Sequence, residues 1–130
     1  MFEDLIIWET HAVFMTLALA LLLFAAAAIY LRQYSWWFTV HKVSGSLGAL
    51  CAAVGIYISY QMVETGDGLH LNVFHAQVGL FTLLALAATI AITPWRQKTH
   101  IRTLHIYLAR ISIILVIVTI LLGLSLVDII

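Results

Sequence analysis

Polar side chains are scarce in this chain and fall in narrow bands. Between the bands lie four apolar runs, at about 5–31, 37–62, 71–93 and 101–127. Roughly 20 apolar residues suffice for a helix to cross the ~30 Å hydrocarbon core of a bilayer, so each run is long enough. The connectors are short. RQYSWW follows the first run, and ETGDGLH, with the glycines of a turn, follows the second. TPWRQKT follows the third and carries Pro94, the only proline, which lacks an N–H and closes a helix. Short connectors predict an all-α integral membrane protein, an antiparallel up-down-up-down four-helix transmembrane bundle. With 130 residues it is expected to be a single domain over 1–130.

A second pattern runs inside the apolar one. At alternating steps of three and four residues the first run reads His11, Met15, Ala18, Leu22, Ala25, and the second reads His41, Gly45, Gly48, Ala52, Gly55, Ser59. The third reads His75, Gly79, Thr82, Leu86, Thr89, and the fourth reads His105, Ala109, Ser112, Val116, Thr119, Gly123. That spacing is one face of a helix. Each such face is headed by a histidine and is otherwise mostly small, whereas the remaining faces are dominated by Leu, Ile, Val and Phe.

Composition sharpens the membrane reading. Hydrophobic residues make up 64% of the chain and charged residues 9%, far outside the soluble range. No room is left for a separate catalytic or nucleic-acid-binding domain. The start MFEDLIIWET is acidic and lacks the basic region of a secretory signal, so the first run is expected to be retained. The lone Cys51 excludes an intramolecular disulfide, and covalent haem attachment through C-x-x-C-H is excluded as well.

Charge predicts orientation. Arg32, Lys42, Arg96, Lys98, Arg102 and Arg110 all lie in or beside the connectors after the first and third runs, or in the helical turns that follow. Positive connectors stay cytoplasmic, which places both termini and the 63–70 loop on the outer side. Trp8 would mark the outer boundary, and Trp36, Trp37 and Trp95 the inner one.

The four histidines carry the candidate chemistry. Because successive helices reverse, His11 and His75 share a depth near the outer face, and His41 and His105 share a depth near the inner face. In an up-down bundle these are diagonal pairs able to face each other across the axis. A single membrane histidine serves equally well as an interhelical hydrogen-bonding group, and small residues alone suit close helix packing. Four depth-matched histidines, each heading a small strip, favour ligation. Zinc usually takes three or four protein ligands, and a carboxylate-bridged di-iron bundle needs Glu-x-x-His pairs, which are missing here. Two imidazoles with no other donor fit haem iron ligated on both faces. The expected cofactors are therefore two haems, each held by a histidine pair. His11 and His75 are the axial iron ligands of the outer one, and His41 and His105 those of the inner one. Gly45, Gly48, Gly79 and Ala109 would give room beside the porphyrins. The helical rise separates the two irons by roughly 20–25 Å along the membrane normal.

The segments HAVFM at 11–15, HKVSG at 41–45, HAQVG at 75–79 and HIYLAR at 105–110, taken in order and spacing, resemble the four-helix core of the cytochrome b561 superfamily. The form is that of its DOMON-linked and ferric-reductase-like members, and the resemblance covers nearly the whole chain. HIYLAR is similar to the family's His-x-x-x-Gly-Arg, with Ala109 where glycine is usual. The resemblance implies two non-covalent haem b groups, ligated from the first and third helices and from the second and fourth, and electron transfer across the membrane. The flanking helices of the six-helix ascorbate-dependent members and a DOMON domain are absent from these residues, so ascorbate is not carried over.

Arg110 is expected five residues below His105, where a buried arginine needs a partner such as a haem propionate or a bound reductant. The other five cations form an inner rim that positive-inside topology and anionic lipid explain. His70 and His100 sit in connectors, and Cys51 reads as a packing residue. The expected partners are membrane lipid and a redox donor and acceptor: quinol, a small reductant or a protein. A homodimer or a larger complex stays open, and nucleic acid is not expected. The expected location is a prokaryotic plasma membrane, and the expected class is an oxidoreductase or electron-transfer subunit. The alternative is a haem-free structural or quinone-binding subunit of a larger redox complex.

Overall fold

The computed structural model describes residues 2–65, 74–95 and 97–126, with side chains from residue 9 to 61 in the first stretch. His70, Asp67, Arg96 and Asp128 lie outside the described residues, as do the side chains of Trp8 and Glu64 and most of the 63–70 loop. Four long helices account for almost all of the remainder: α1 Phe2–Ala28, α2 Trp37–Thr65, α3 Phe74–Ala91 and α4 Thr99–Leu126. All four contain stretches long and apolar enough to cross a membrane, at Glu9–Leu31, Trp37–Gln61, Phe74–Trp95 and Thr99–Leu126.

The helix ends follow from local chemistry. The expected first helix reached residue 31, but α1 tightens at Ile29–Leu31 into a 3-10 turn, and Tyr34 N–H closes on the Leu31 carbonyl. The last α3 ladder bond runs from Ile92 N–H to the Ala88 carbonyl. Beyond it Pro94 supplies no N–H and disfavours helical backbone at Thr93, so the chain continues as the 3-10 turn Thr93–Trp95.

The chain divides into two compact units, 1–70 and 71–130, each built around one pair of helices. In unit 1 the α1 residues Met15, Ala18, Leu22 and Ala25 are buried with Gly48, Ala52 and Gly55 of α2. Contacts descend along α2 as they ascend along α1. Gly55 lies against Phe14 and Met15, Gly48 against Ala18 and Leu22, and Gly45 near Ala25. Unit 2 buries Gly79, Thr82, Leu86 and Thr89 of α3 with Ser112, Val116 and Thr119 of α4. The small strips of the sequence are therefore the helix–helix seams within each unit.

The two seams share one register. Adding 64 to each of these seven positions of unit 1 gives one of the seven positions of unit 2, from Met15 and Gly79 through Gly55 and Thr119. Their chemistry differs. Unit 1 meets through Ala and Gly at 18, 25, 48 and 55, whereas unit 2 has Thr or Ser at 82, 89, 112 and 119. Thr82 Oγ1 lies 3.1 Å from Thr119 Oγ1, and Thr89 Oγ1 lies 3.4 Å from Ser112 Oγ. Thr82, Thr89 and Thr119 also bond back to carbonyls four residues earlier on their own helices, at 2.7 to 2.8 Å. A hydroxyl has one proton, so Ser112 is the donor to Thr89, while Thr82 and Thr119 take turns across the seam.

Outward-facing side chains are large and apolar. Leu17, Phe24, Leu50, Phe81, Leu84, Ile114 and Leu121 are all about half exposed or more. Burial inside the protein accounts for only 17–28% of the most apolar stretch of each helix, so much of each membrane-length surface is left for an apolar surrounding.

Candidate functional site

All four predicted ligand histidines lie on the helices of the seams, and all are half-buried. In unit 1 His11 Nδ1 donates to the Gly55 carbonyl at 2.7 Å, and His41 Nδ1 donates to the Ala25 carbonyl at 2.9 Å. In unit 2 His105 Nδ1 donates to the Thr89 carbonyl at 3.1 Å. A carbonyl only accepts, so in all three rings the proton is on Nδ1 and, in the neutral imidazole, the lone pair is on Nε2. Metal-ligating histidines are oriented and made more basic in this way.

His75 sits against a glycine. A Cβ on Gly123 would lie 3.0 Å from Cε1 of the His75 ring, 3.4 Å from Nδ1 and 3.7 Å from Nε2. A side chain there would make the ring give by a few tenths of an ångström. The rings of His41 and Trp37 are 6.4 Å apart at a tilt of 45°, so the first turn of α2 lays an indole beside the imidazole.

The acceptors for His41 and His105 have a shared origin. Ala25 is in the last turn of α1 and Thr89 in the last turn of α3. Each imidazole thus ties the start of the following helix to the C-terminal end of the preceding one, a structural service independent of any cofactor.

Each unit holds two imidazole levels. His41 is level with Ala25, and the fourteen residues from His11 to Ala25 rise about 21 Å along α1. His105 is level with Thr89, and the same count from His75 gives about 21 Å along α3.

The small residues expected beside a porphyrin divide into two groups. A Cβ on Gly48 would come within 2.9 Å of Leu22 Cγ and 3.2 Å of the Ala18 carbonyl oxygen, so its missing side chain brings α1 and α2 together. Gly55 is similar, with Met15 Sδ at 3.0 Å. A Cβ on Gly45 would meet only Ala25 Cβ at 3.8 Å, and one on Gly79 only Thr119 Cγ2 at 3.7 Å. Both are ordinary contacts, so neither glycine is required by the seam. Ala109 is half-buried, one turn after His105.

Arg110 is exposed on α4. Arg32, Lys42, Lys98, His100 and Arg102 are exposed as well, and Cys51 is half-buried. Among the described residues no three of His, Cys, Asp and Glu converge as a multi-ligand metal site would need. Sequence reasoning missed the carbonyl partners of the imidazoles, for which the sequence carries no signal. It also missed the hydroxyl pairs, whose signal was the Thr and Ser at seam positions of the third and fourth runs. Comparisons with protein-family models, curated proteins and solved structures gave no match.

Proposed function

We propose that the chain carries electrons across a membrane through two b-type haems, as its resemblance to the cytochrome b561 superfamily implies. His11 and His75 would ligate the outer haem, and His41 and His105 the inner one. The observation that carries the reading is the state of the histidines. Three Nδ1–H groups are held by backbone carbonyls, which puts the lone pair on Nε2, and in each unit two imidazole levels lie about 21 Å apart. A methyl group at Gly45 or Gly79 would make only an ordinary contact within its seam, so close helix packing does not by itself call for either glycine. The donor set fits haem iron and no metal that needs three protein ligands.

A haem held by two imidazoles supplies a one-electron couple with no open coordination position. The protein's own part is to hold the rings, fix their tautomer and keep water away with the apolar helix faces. The accompanying fold is the up-down-up-down bundle with both termini outside and the Arg and Lys connectors inside. Quinol, a small reductant or a protein would serve as donor or acceptor in a prokaryotic plasma membrane, with the chain alone, as a homodimer or within a larger complex.

The test is a spectrum of the purified full chain. A Soret band and a pyridine haemochrome giving two haems per chain are expected, and their absence from protein made with adequate haem sinks the proposal. The haem-free alternative draws on Gly48 and Gly55, whose roles are complete within unit 1, and the same spectrum separates the two readings.

A further inference from the structure

The hydrogen bonds of His41 and His105 look equivalent by register, yet their acceptors differ. The Ala25 carbonyl receives His41 Nδ1–H at 2.9 Å. The Thr89 carbonyl receives His105 Nδ1–H at 3.1 Å and, in addition, the Thr93 hydroxyl at 3.1 Å. Thr93 reaches it by bonding back one turn, as helical threonines do. It is placed to do so because it opens the 3-10 turn just past α3, directly before Pro94. The position 64 residues earlier is Ile29, which carries no hydroxyl.

Two donors on one carbonyl oxygen compete. Each withdraws density from the same oxygen, so a hydroxyl there weakens the pull of that oxygen on the imidazole proton. A weaker Nδ1–H bond leaves the imidazole less basic at Nε2. For an iron ligand, less basicity stabilises the ferric state less and raises the reduction potential, since hydrogen bonding to the axial ligand is one of the protein's levers on haem potential.

We propose that Thr93 is a positioning residue that acts through the shared Thr89 carbonyl to weaken the His105 Nδ1–H bond, and so raises the reduction potential of the haem that His105 would ligate. The hydrogen-bond part stands on geometry alone, and the potential part rests on the di-haem reading. Ile29 carries no hydroxyl, so the His41 bond lacks this side-chain competitor, and one hydroxyl makes the ligands of the inner pair unequal.

The experiment uses the full chain in detergent with Thr93→Val, Thr93→Ser and Ile29→Thr. Thr93 is only half-buried and lies outside both helix ladders, so Thr93→Val leaves the seams intact. Without haem, the His105 Nδ1–H proton resonance is expected to move downfield in Thr93→Val and to stay in place in Thr93→Ser; an unmoved Thr93→Val signal overturns the competition. With haem, a potentiometric titration is expected to show one of the two haems harder to reduce in Thr93→Val, by up to about tenfold in its reduction equilibrium, or about 59 mV for one electron. Ile29→Thr is expected to move that same haem the opposite way. A proton shift with both potentials unchanged, or with both moved equally, overturns the link to the ligand. Failure of the wild-type chain to bind haem defeats the functional reading, while the proton measurement still judges the competition.

Discussion

Two glycines one turn apart on α2 provide a direct test of how the first seam is held. In Gly48→Ala the new methyl group would sit 2.9 Å from Leu22 Cγ, 3.1 Å from Leu22 Cδ2 and 3.2 Å from the Ala18 carbonyl oxygen. Leu22 is buried, and the carbonyl cannot move unless α1 does. Overpacking of this kind costs about 1–3 kcal/mol. In Gly45→Ala the methyl group meets only Ala25 Cβ, at 3.8 Å. Both changes gain the same helix propensity, about 1 kcal/mol. That term cancels in the comparison, so Gly45→Ala should be the more stable variant by about 1–3 kcal/mol. Reversible unfolding of the haem-free chain in mixed micelles, followed by circular dichroism, measures the difference. Leu22→Ala in the Gly48→Ala background removes two of the three close approaches, so a double-mutant cycle should show favourable coupling. Equal stability of the two alanine variants, or a cycle without coupling, would refute the close-approach account of Gly48.

Haem spectra of single histidine variants should sort into two classes. His41→Ala and His105→Ala should each lose the same one of two haems, and His11→Ala the other; any other grouping breaks the ligand assignment. Gly123→Ala should crowd the His75 ring and disturb the haem lost in His11→Ala while sparing its neighbour, read as a shift or loss of one Soret component. Gly45→Ala should lower occupancy of the His41 haem despite stabilising the hairpin, if the glycine one turn after His41 serves the porphyrin rather than the seam, where its methyl group makes only an ordinary contact. Thr82→Ala should destabilise the protein by about 0.6 kcal/mol and by no more than about 1.7, the range for hydrogen bonds between membrane helices, in the same unfolding assay. A loss well above that range would mean that Thr82 does more than pair with Thr119.

The inward faces were legible in advance because positions at steps of three and four share one side of a helix. Met15, Ala18, Leu22 and Ala25 are buried in the order written, as are Gly79, Thr82, Leu86 and Thr89. What such a strip faces was not legible. Gly45 and Gly48 look alike in the sequence, and the difference between a 3.8 Å and a 2.9 Å approach depends on where α1 puts Leu22. The imidazole acceptors were hidden for a related reason. Ala25 and Thr89 matter through their carbonyls, which every residue has, and which of them meets an imidazole depends on how the helices pack. Arg110 is exposed and lies off the face that carries His105, Ser112 and Val116, a placement that counting along the helix axis alone does not give.

The register shared by the two units bears on how such a chain tolerates change. A unit with two crossings returns the polypeptide to the side from which it started. For a chain that crosses with each of its four helices, inserting, deleting or exchanging a whole unit preserves the sidedness of everything downstream. A period of one or three helices would reverse it. Recombination between any two positions 64 residues apart, inside the hairpins or at their connector, is therefore neutral with respect to topology, whereas a junction that adds or removes an odd number of helices would turn the remainder of the chain over.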